Sequence, residues 1–177
     1  MKRKSIKERI AAYFFRNPTV QLRVRHIERI VKVPLPAAIR YAKELEKEGI
    51  LKKSIVVKVT AYSADRTSPA FLFKKRLFNL EQLQTTGLID FLKQELSNSP
   101  LILFGSYARG EDTETSDIDV YIETPNKETL NVAAFEKKLE RTIQLFQYPS
   151  LTSIDNKQLA NNIFNGIILN GFIEVFK

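Results

Sequence analysis

Residues 101–123 read LILFGSYARGEDTETSDIDVYIE. The first four are apolar without a break, as in a strand buried on both faces. Gly105 permits a sharp bend and a close backbone approach. Ser106 then opens a short helical turn, SYARG, which Gly110 ends. An acidic loop, EDTETS, leads to a second strand, DIDVYIE. Side chains alternate along a strand, so Asp117 and Asp119 share one face, roughly 6.6–7 Å apart. Ile118, Val120 and Ile122 point the other way, into a core.

Free N–H groups and a hydroxyl at a helix start favour an anion. Two carboxylates on one strand face suit divalent cations, which prefer oxygen ligands. If the fold brings the Gly105–Ser106 bend to the aspartate pair, the combination serves metal-assisted phosphoryl or nucleotidyl transfer.

The surrounding chain is unevenly charged. Residues 1–80 hold 20 Lys and Arg against 6 Asp and Glu, whereas residues 81–177 hold 8 against 14. A basic half joined to an acidic half predicts two domains with different partners. The basic half suits a polyanion, and the acidic half is a poor nucleic-acid surface unless metal ions sit on it. There is no cysteine, which excludes disulfides and thiolate metal sites. No apolar run reaches the length of a membrane span. The opening MKRKSIKERIAAYFF, interrupted by Glu8 and Arg9 and followed by Arg16, reads as an amphipathic helix capped by Ser5, not as a signal peptide. The expected compartment is the cytoplasm.

In the basic half, TVQLRV alternates like a short strand, and Arg25 to Lys32 reads as a helix with Ile27, Ile30 and Val31 inward. VPLP is a turn with Pro36 at the first helical position. AAIRYAKELEKEG is a third helix closed by Gly49. ILKKSIVVKVT and SPAFLFKK read as two strands joined by a polar tip, YSADRT. This order, over residues 5–75, resembles a winged helix-turn-helix. The resemblance implies double-stranded DNA binding with the third helix in the major groove. Ala37, Arg40, Tyr41, Lys43 and Lys47 are then the DNA-facing positions, with Arg40 placed to meet a guanine edge. Lys52, Lys53 and Arg66 would meet phosphates on the wing. His26, the single histidine, is expected to pack or cap the second helix. Winged helices commonly pair on two-fold sites, so a homodimer is expected.

Leu77, Leu80 and Leu83, then Leu88, Phe91, Leu92 and Leu96, are helically spaced and predict one or two junction helices. Ser97 to Pro100 breaks them before the strand at Leu101.

FGSYARGEDTETSDIDVYI resembles the signature of the polymerase-beta-like nucleotidyltransferases, in particular the small prokaryotic branch of minimal nucleotidyltransferases. Gly105, Ser106, Arg109, Gly110, Ser116, Asp117 and Asp119 match its fixed positions. The likeness extends over residues 87–177, including NKQLANNIFNGIILNGFIEVF, which resembles that family's closing helix, glycine and short strand. It implies catalysis with two Mg2+ (or Mn2+) ions held by Asp117 and Asp119. Gly105 and Ser106 would bind the triphosphate of an NTP, with Ser116 beside them, and Arg109 would support the phosphates or brace the loop. The family adds a third carboxylate on a later strand. The helix NVAAFEKKLER and the strand TIQLFQY place Gln144 there, and residues 142–154 contain no acid. An amide cannot accept a proton as a carboxylate does. Glu123 lies roughly 13 Å along the strand from Asp119, and Asp155 reads as a helix cap.

The expected fold class is α+β in two domains. A winged helix over residues 1–76 leads through a helical junction, 77–98, to a mixed-sheet nucleotidyltransferase fold with flanking helices, 99–177. Two functions compete. One is transfer of a nucleoside monophosphate to an unknown acceptor; the resemblance implies a partner protein, as in toxin–antitoxin pairs or with a helical nucleotide-binding subunit. The other is a DNA-binding regulator, or antitoxin-like protein, whose second domain binds nucleotide and metal with little or no turnover.

Overall fold

The computed structural model describes residues 4–56, 59–125, 127 and 129–174. The chain divides into two compact units, Met1–Phe78 and Asn79–Lys177.

In the first unit, α1 (Ile6–Arg16) starts from a capping box. The Glu8 N–H donates to Ser5 Oγ at 3.2 Å, and the Ser5 N–H donates to Glu8 Oε2 at 2.6 Å. After β1 (Gln21–Arg23) come α2 (Val24–Val31) and α3 (Leu35–Lys47). Lys32, left-handed at φ 56°, ends α2 and turns the chain into α3. Gly49, at φ 70°, follows the end of α3. β2 (Leu51–Val56) and β3 (Val59–Ala64) complete an antiparallel sheet of order β1-β3-β2. Ile10, Phe14, Ile27, Ala38, Ala42, Leu45 and Tyr62 form the core.

Four sequence expectations change here. SPAFLFKK is not a strand but the start of α4 (Pro69–Thr86). Phe71, Lys75 and Phe78 are buried at helical intervals, a period hidden in so short an apolar window. ILKKSIVVKVT is not one strand; it is split between β2 and β3, which pair from Leu51 with Ala64 to Val56 with Val59. Val57 and Lys58 lie outside the described residues, as do Met1–Arg3 and Val175–Lys177. YSADRT is therefore no tip. Tyr62 to Ala64 are in β3, and Arg66 sits in the turn before α4, at the end of the hairpin away from Val56 and Val59. Finally, Ile30 is 45% exposed; only Ile27 of α2 is fully buried.

Lys75 has no exposed surface, and its Nζ donates to the Phe15 carbonyl at 2.9 Å. That carbonyl lies in the last turn of α1, where acceptors lack helical partners and a cation complements the dipole.

α4 runs through the division between the units, with Phe71 and Phe78 in the first core and Leu83 in the second. Gly87, at φ 81°, separates it from α5 (Leu88–Glu95). The second unit continues with β4 (Leu101–Phe104), α6 (Gly105–Arg109), β5 (Ile118–Glu123), α7 (Ala133–Leu139) and β6 (Ile143–Tyr148). A 3-10 turn at Leu151–Ser153 leads to α8 (Lys157–Phe164) and β7 (Ile167–Asn170). The sheet order is β6-β5-β4-β7, with β5 and β6 parallel and the other pairs antiparallel. This is a mixed sheet with helices.

Strand alternation builds two apolar layers. Leu101, Leu103, Ile118, Val120, Ile122 and Ile143 pack with Leu83, Leu88 and Leu92 on one face. Ile102, Phe104 and Tyr121 pack with Leu151, Ile154 and Ile163 on the other. A Cβ on Gly166 would stand 2.4 Å from Ile102 Cγ2 and 2.6 Å from the Leu103 carbonyl, so glycine lets the chain cross close to β4. Asn156, not Asp155, caps α8: its Oδ1 accepts from Gln158 and Leu159. Among the described residues no helix is long and apolar enough to cross a membrane.

Candidate active site

The site lies where β4, β5 and β6 run side by side. Register sets Phe104 opposite Asp119, and Asp119 opposite Gln144. Paired residues in a ladder share a face, so these three form one row across the sheet. Asp117 stands immediately before β5, and both aspartates are half-buried beside the fully buried Ile118 and Val120.

Gly105 leaves β4 at φ 73°. A Cβ there would fall 2.3 Å from Asp119 Oδ2 and 3.3 Å from its Cγ. The bend and the carboxylate are therefore in direct apposition, and only glycine fits both the space and the backbone angle. Gly110, at φ 74°, closes α6 with its N–H on the Ser106 and Tyr107 carbonyls.

Arg109 is paired on the surface: its Nε donates to Glu111 Oε2 at 2.7 Å. Its charge nonetheless acts on Asp119. Burial pushes the Asp119 carboxyl above its ordinary pKa, the negative charge of Asp117 pushes it further, and Arg109 opposes both. Ser116 braces the loop, accepting at Oγ from the Thr113 N–H at 2.9 Å. Gln144 points at the pair, with Nε2 donating to Asp117 Oδ2. Glu123 is engaged elsewhere, accepting from the Tyr121 hydroxyl at 2.9 Å. Burial first, and then this bond, push the Tyr121 phenol up.

One clamp escaped the sequence reading. Asn79 and Asp112 are each 2% exposed. Asn79 Nδ2 donates to Asp112 Oδ1 at 2.8 Å and to the Tyr107 carbonyl at 2.9 Å. It ties α4 to the end of α6 and to the loop that delivers Asp117. An Asn inside a leucine-rich helix gives no periodic signal; its distance from residue 112 in sequence conceals the pairing.

Among the described residues no group of three or more His, Asp or Glu gathers at a metal-binding distance. The aspartate pair alone offers hard oxygen donors. Burial first, and then the charge of Asp117, raise the Asp119 carboxyl, and a divalent cation completed by phosphate oxygens would fit this pair.

In the first unit, Arg40, Lys43 and Lys47 are exposed along α3, with Ala37 and Tyr41 half-buried. Arg40 lies over the Tyr41 ring at 4.3 Å, donates to the Tyr41 hydroxyl, and pairs with Glu44 at 3.7 Å. Lys52 and Lys53 are exposed on β2, and Arg66 is exposed in the turn that follows the Leu51–Ala64 end of the hairpin. His26 is exposed on α2 and caps nothing there: α2 has no side-chain cap.

Residues 86–153 match the family model of the nucleotidyltransferase domain. A 49-residue segment is 45% identical to a Methanocaldococcus jannaschii protein described as "Putative protein adenylyltransferase". That match covers 28% of this chain and 46% of the relative, so the chain spans less than half the length of the relative. Over residues 86–153 the chain is thus similar to nucleotidyltransferase domains.

Proposed function

We propose that the chain transfers a nucleoside monophosphate from an NTP to an acceptor hydroxyl, in dependence on Mg2+ or Mn2+. The observation that carries this reading is the apposition of Gly105 and Asp119, with Asp117 and Gln144 beside them. The family match over residues 86–153 supports it.

Asp117 and Asp119 would hold the cation. When bound, it supplies charge neutralisation to the polyphosphate and orients the reacting phosphoryl group. Gly105 leaves room for the Asp119 carboxylate at the strand end, and the half-buried Ser106 follows with a hydroxyl donor for a phosphate oxygen. The acceptor oxygen bonds to the α-phosphorus while the α–β phosphoanhydride bond breaks, and pyrophosphate leaves with its electron pair. Gln144 orients Asp117 but cannot take the acceptor's proton. That proton passes to solvent or to a group on the acceptor, which makes the step slow unless a partner supplies a base. The name of the archaeal relative favours a protein acceptor and adenylyl transfer.

The first unit is read as a winged helix that binds double-stranded DNA. Three helices, an antiparallel strand pair and the basic excess of residues 1–80 support this reading. A second reading, a DNA-binding regulator with a nucleotide-sensing domain of low turnover, is favoured by the amide at residue 144. It retains the expected partners: DNA, NTP, a partner protein and a second copy.

The test is incubation with α-labelled and γ-labelled ATP, CTP, GTP and UTP, Mg2+ or Mn2+, and cell lysate. Transfer of the α-label alone to an acceptor, abolished by D117N/D119N, is the expected result. Nucleotide binding without labelling moves the conclusion to the regulator. Neither binding nor labelling overturns both readings.

A further inference from the structure

α2 carries its charge in an arrangement that its own fold does not neutralise. Arg25, Arg29 and Lys32 are exposed and spaced by four and three residues, which sets them along one side of the helix. Arg23, at the N-cap, is exposed beside them. These four line two hollows of about 690 and 320 Å3, with Arg25 and Arg29 common to both. His26 and Val59 of β3 complete the smaller one, and Glu28 is the sole acid in the larger.

The local energetics are unfavourable. Arg25 and Arg29 are like charges at i and i+4, a destabilising pair. The first turn of α2 holds no acid, so Arg25 also opposes the positive end of the helix dipole. Among the described residues none of these four cations makes an ion pair. α3 differs: Arg40 is paired with Glu44, and Lys7 occupies Glu44 and Glu48. Lys43 and Lys47 of α3 are also exposed with no ion pair among the described residues, but α2 and its caps carry four such cations together.

We propose that the α2 face, Arg23, Arg25, Arg29 and Lys32, is the principal phosphate-contacting surface for duplex DNA, with α3 contributing less of the binding free energy. The inference rests on the reading of the first unit as a DNA-binding domain. From Arg25 to Lys32 the helix rises about 10 Å, long enough for the row to meet more than one phosphate of a strand. One strand can lay successive phosphates along that row. Contacts of this kind position a duplex without reading its sequence, so binding through this face is indifferent to base order.

The experiment is fluorescence anisotropy of the full chain with a labelled duplex DNA of arbitrary sequence, from about 50 to 200 mM NaCl. R25A/R29A should weaken binding at least ~10-fold at low salt and lower the slope of log K against log salt by about 1.8, at about 0.9 per contact. R25K/R29K should keep most of the affinity and the slope, which separates lost charge from lost fold. R40A/K43A/K47A should cost less than R25A/R29A. The inference alone is overturned if the α3 variant loses binding while R25A/R29A binds as the parent does, or if R25K/R29K fails as badly as the alanine pair. A parent chain that prefers an RNA duplex of the same sequence also overturns it. No binding by the parent to any duplex at low salt overturns it together with the DNA reading.

Discussion

Gly105 and Asp119 lie so close that one added carbon on the glycine would overlap the carboxylate, 2.3 Å from Oδ2. The strand end, the bend and the acid thus form one compact unit. Gly105→Ala should drive Asp119 out of place and strain a backbone at φ 73°. A left-handed non-glycine residue alone costs about 1–2 kcal/mol. Thermal unfolding should fall by about 2–8 °C for a chain of this size, and nucleotide affinity should fall with it.

Asp119 sits at a cost to the fold. Its pKa is raised in the folded state, so the associated stability is fully present below the unfolded value of about 3.9 and is lost as pH rises through the folded value. Asp119→Asn should therefore melt higher than the parent at pH 7 without divalent cation. The difference should vanish near pH 3.5, about where both forms are neutral. Saturating Mg2+ with NTP should reverse it, because only the parent gains from binding. Melting curves at several pH values check the sign.

Gln144 faces Asp117 from the neighbouring parallel strand. Gln144→Glu would place a third carboxylate in the row. Without metal it should lower the melting temperature through like-charge repulsion. It should also tighten Mn2+ binding about 10-fold or more by calorimetry, and raise turnover if proton removal limits the reaction.

The aspartate pair was legible because a strand's period of two leaves no choice of face once Ile118, Val120 and Ile122 are assigned to the core. The Gln144 position was legible because β6 is a short apolar strand following a helix. The stretch from Ser68 to Lys75 was misread as a strand, since SPAFLFKK shows helical burial only when extended through Phe78 and Leu83. The division between β2 and β3 escaped because VVKV lacks the glycine or asparagine that marks tight hairpins. Arg66 was misplaced as a consequence. The counter-charges that occupy Arg40 and Arg109 come from Glu44 and Glu111, side chains whose choice of partner a linear pattern does not specify.

The buried Asn79–Asp112 clamp holds the approach to Asp117. Asn79→Ala removes an amide donor and leaves a buried carboxylate short of a partner, at about 1–3 kcal/mol. Stability should fall accordingly. NTP affinity should fall further than the loss of stability alone explains, since the loop before Asp117 loses its anchor. Parallel denaturant titrations and calorimetry separate the two effects.

The central claim is that Asp117 and Asp119 create a cation-dependent nucleotide site at the Gly105 bend. Calorimetric titration of the parent and D117N/D119N with each NTP, in Mg2+ or Mn2+ and again in EDTA, tests it most directly. The account predicts heat of binding for the parent with metal, and none in EDTA or in the double variant. Equal binding in EDTA, or undiminished binding by D117N/D119N, would contradict it.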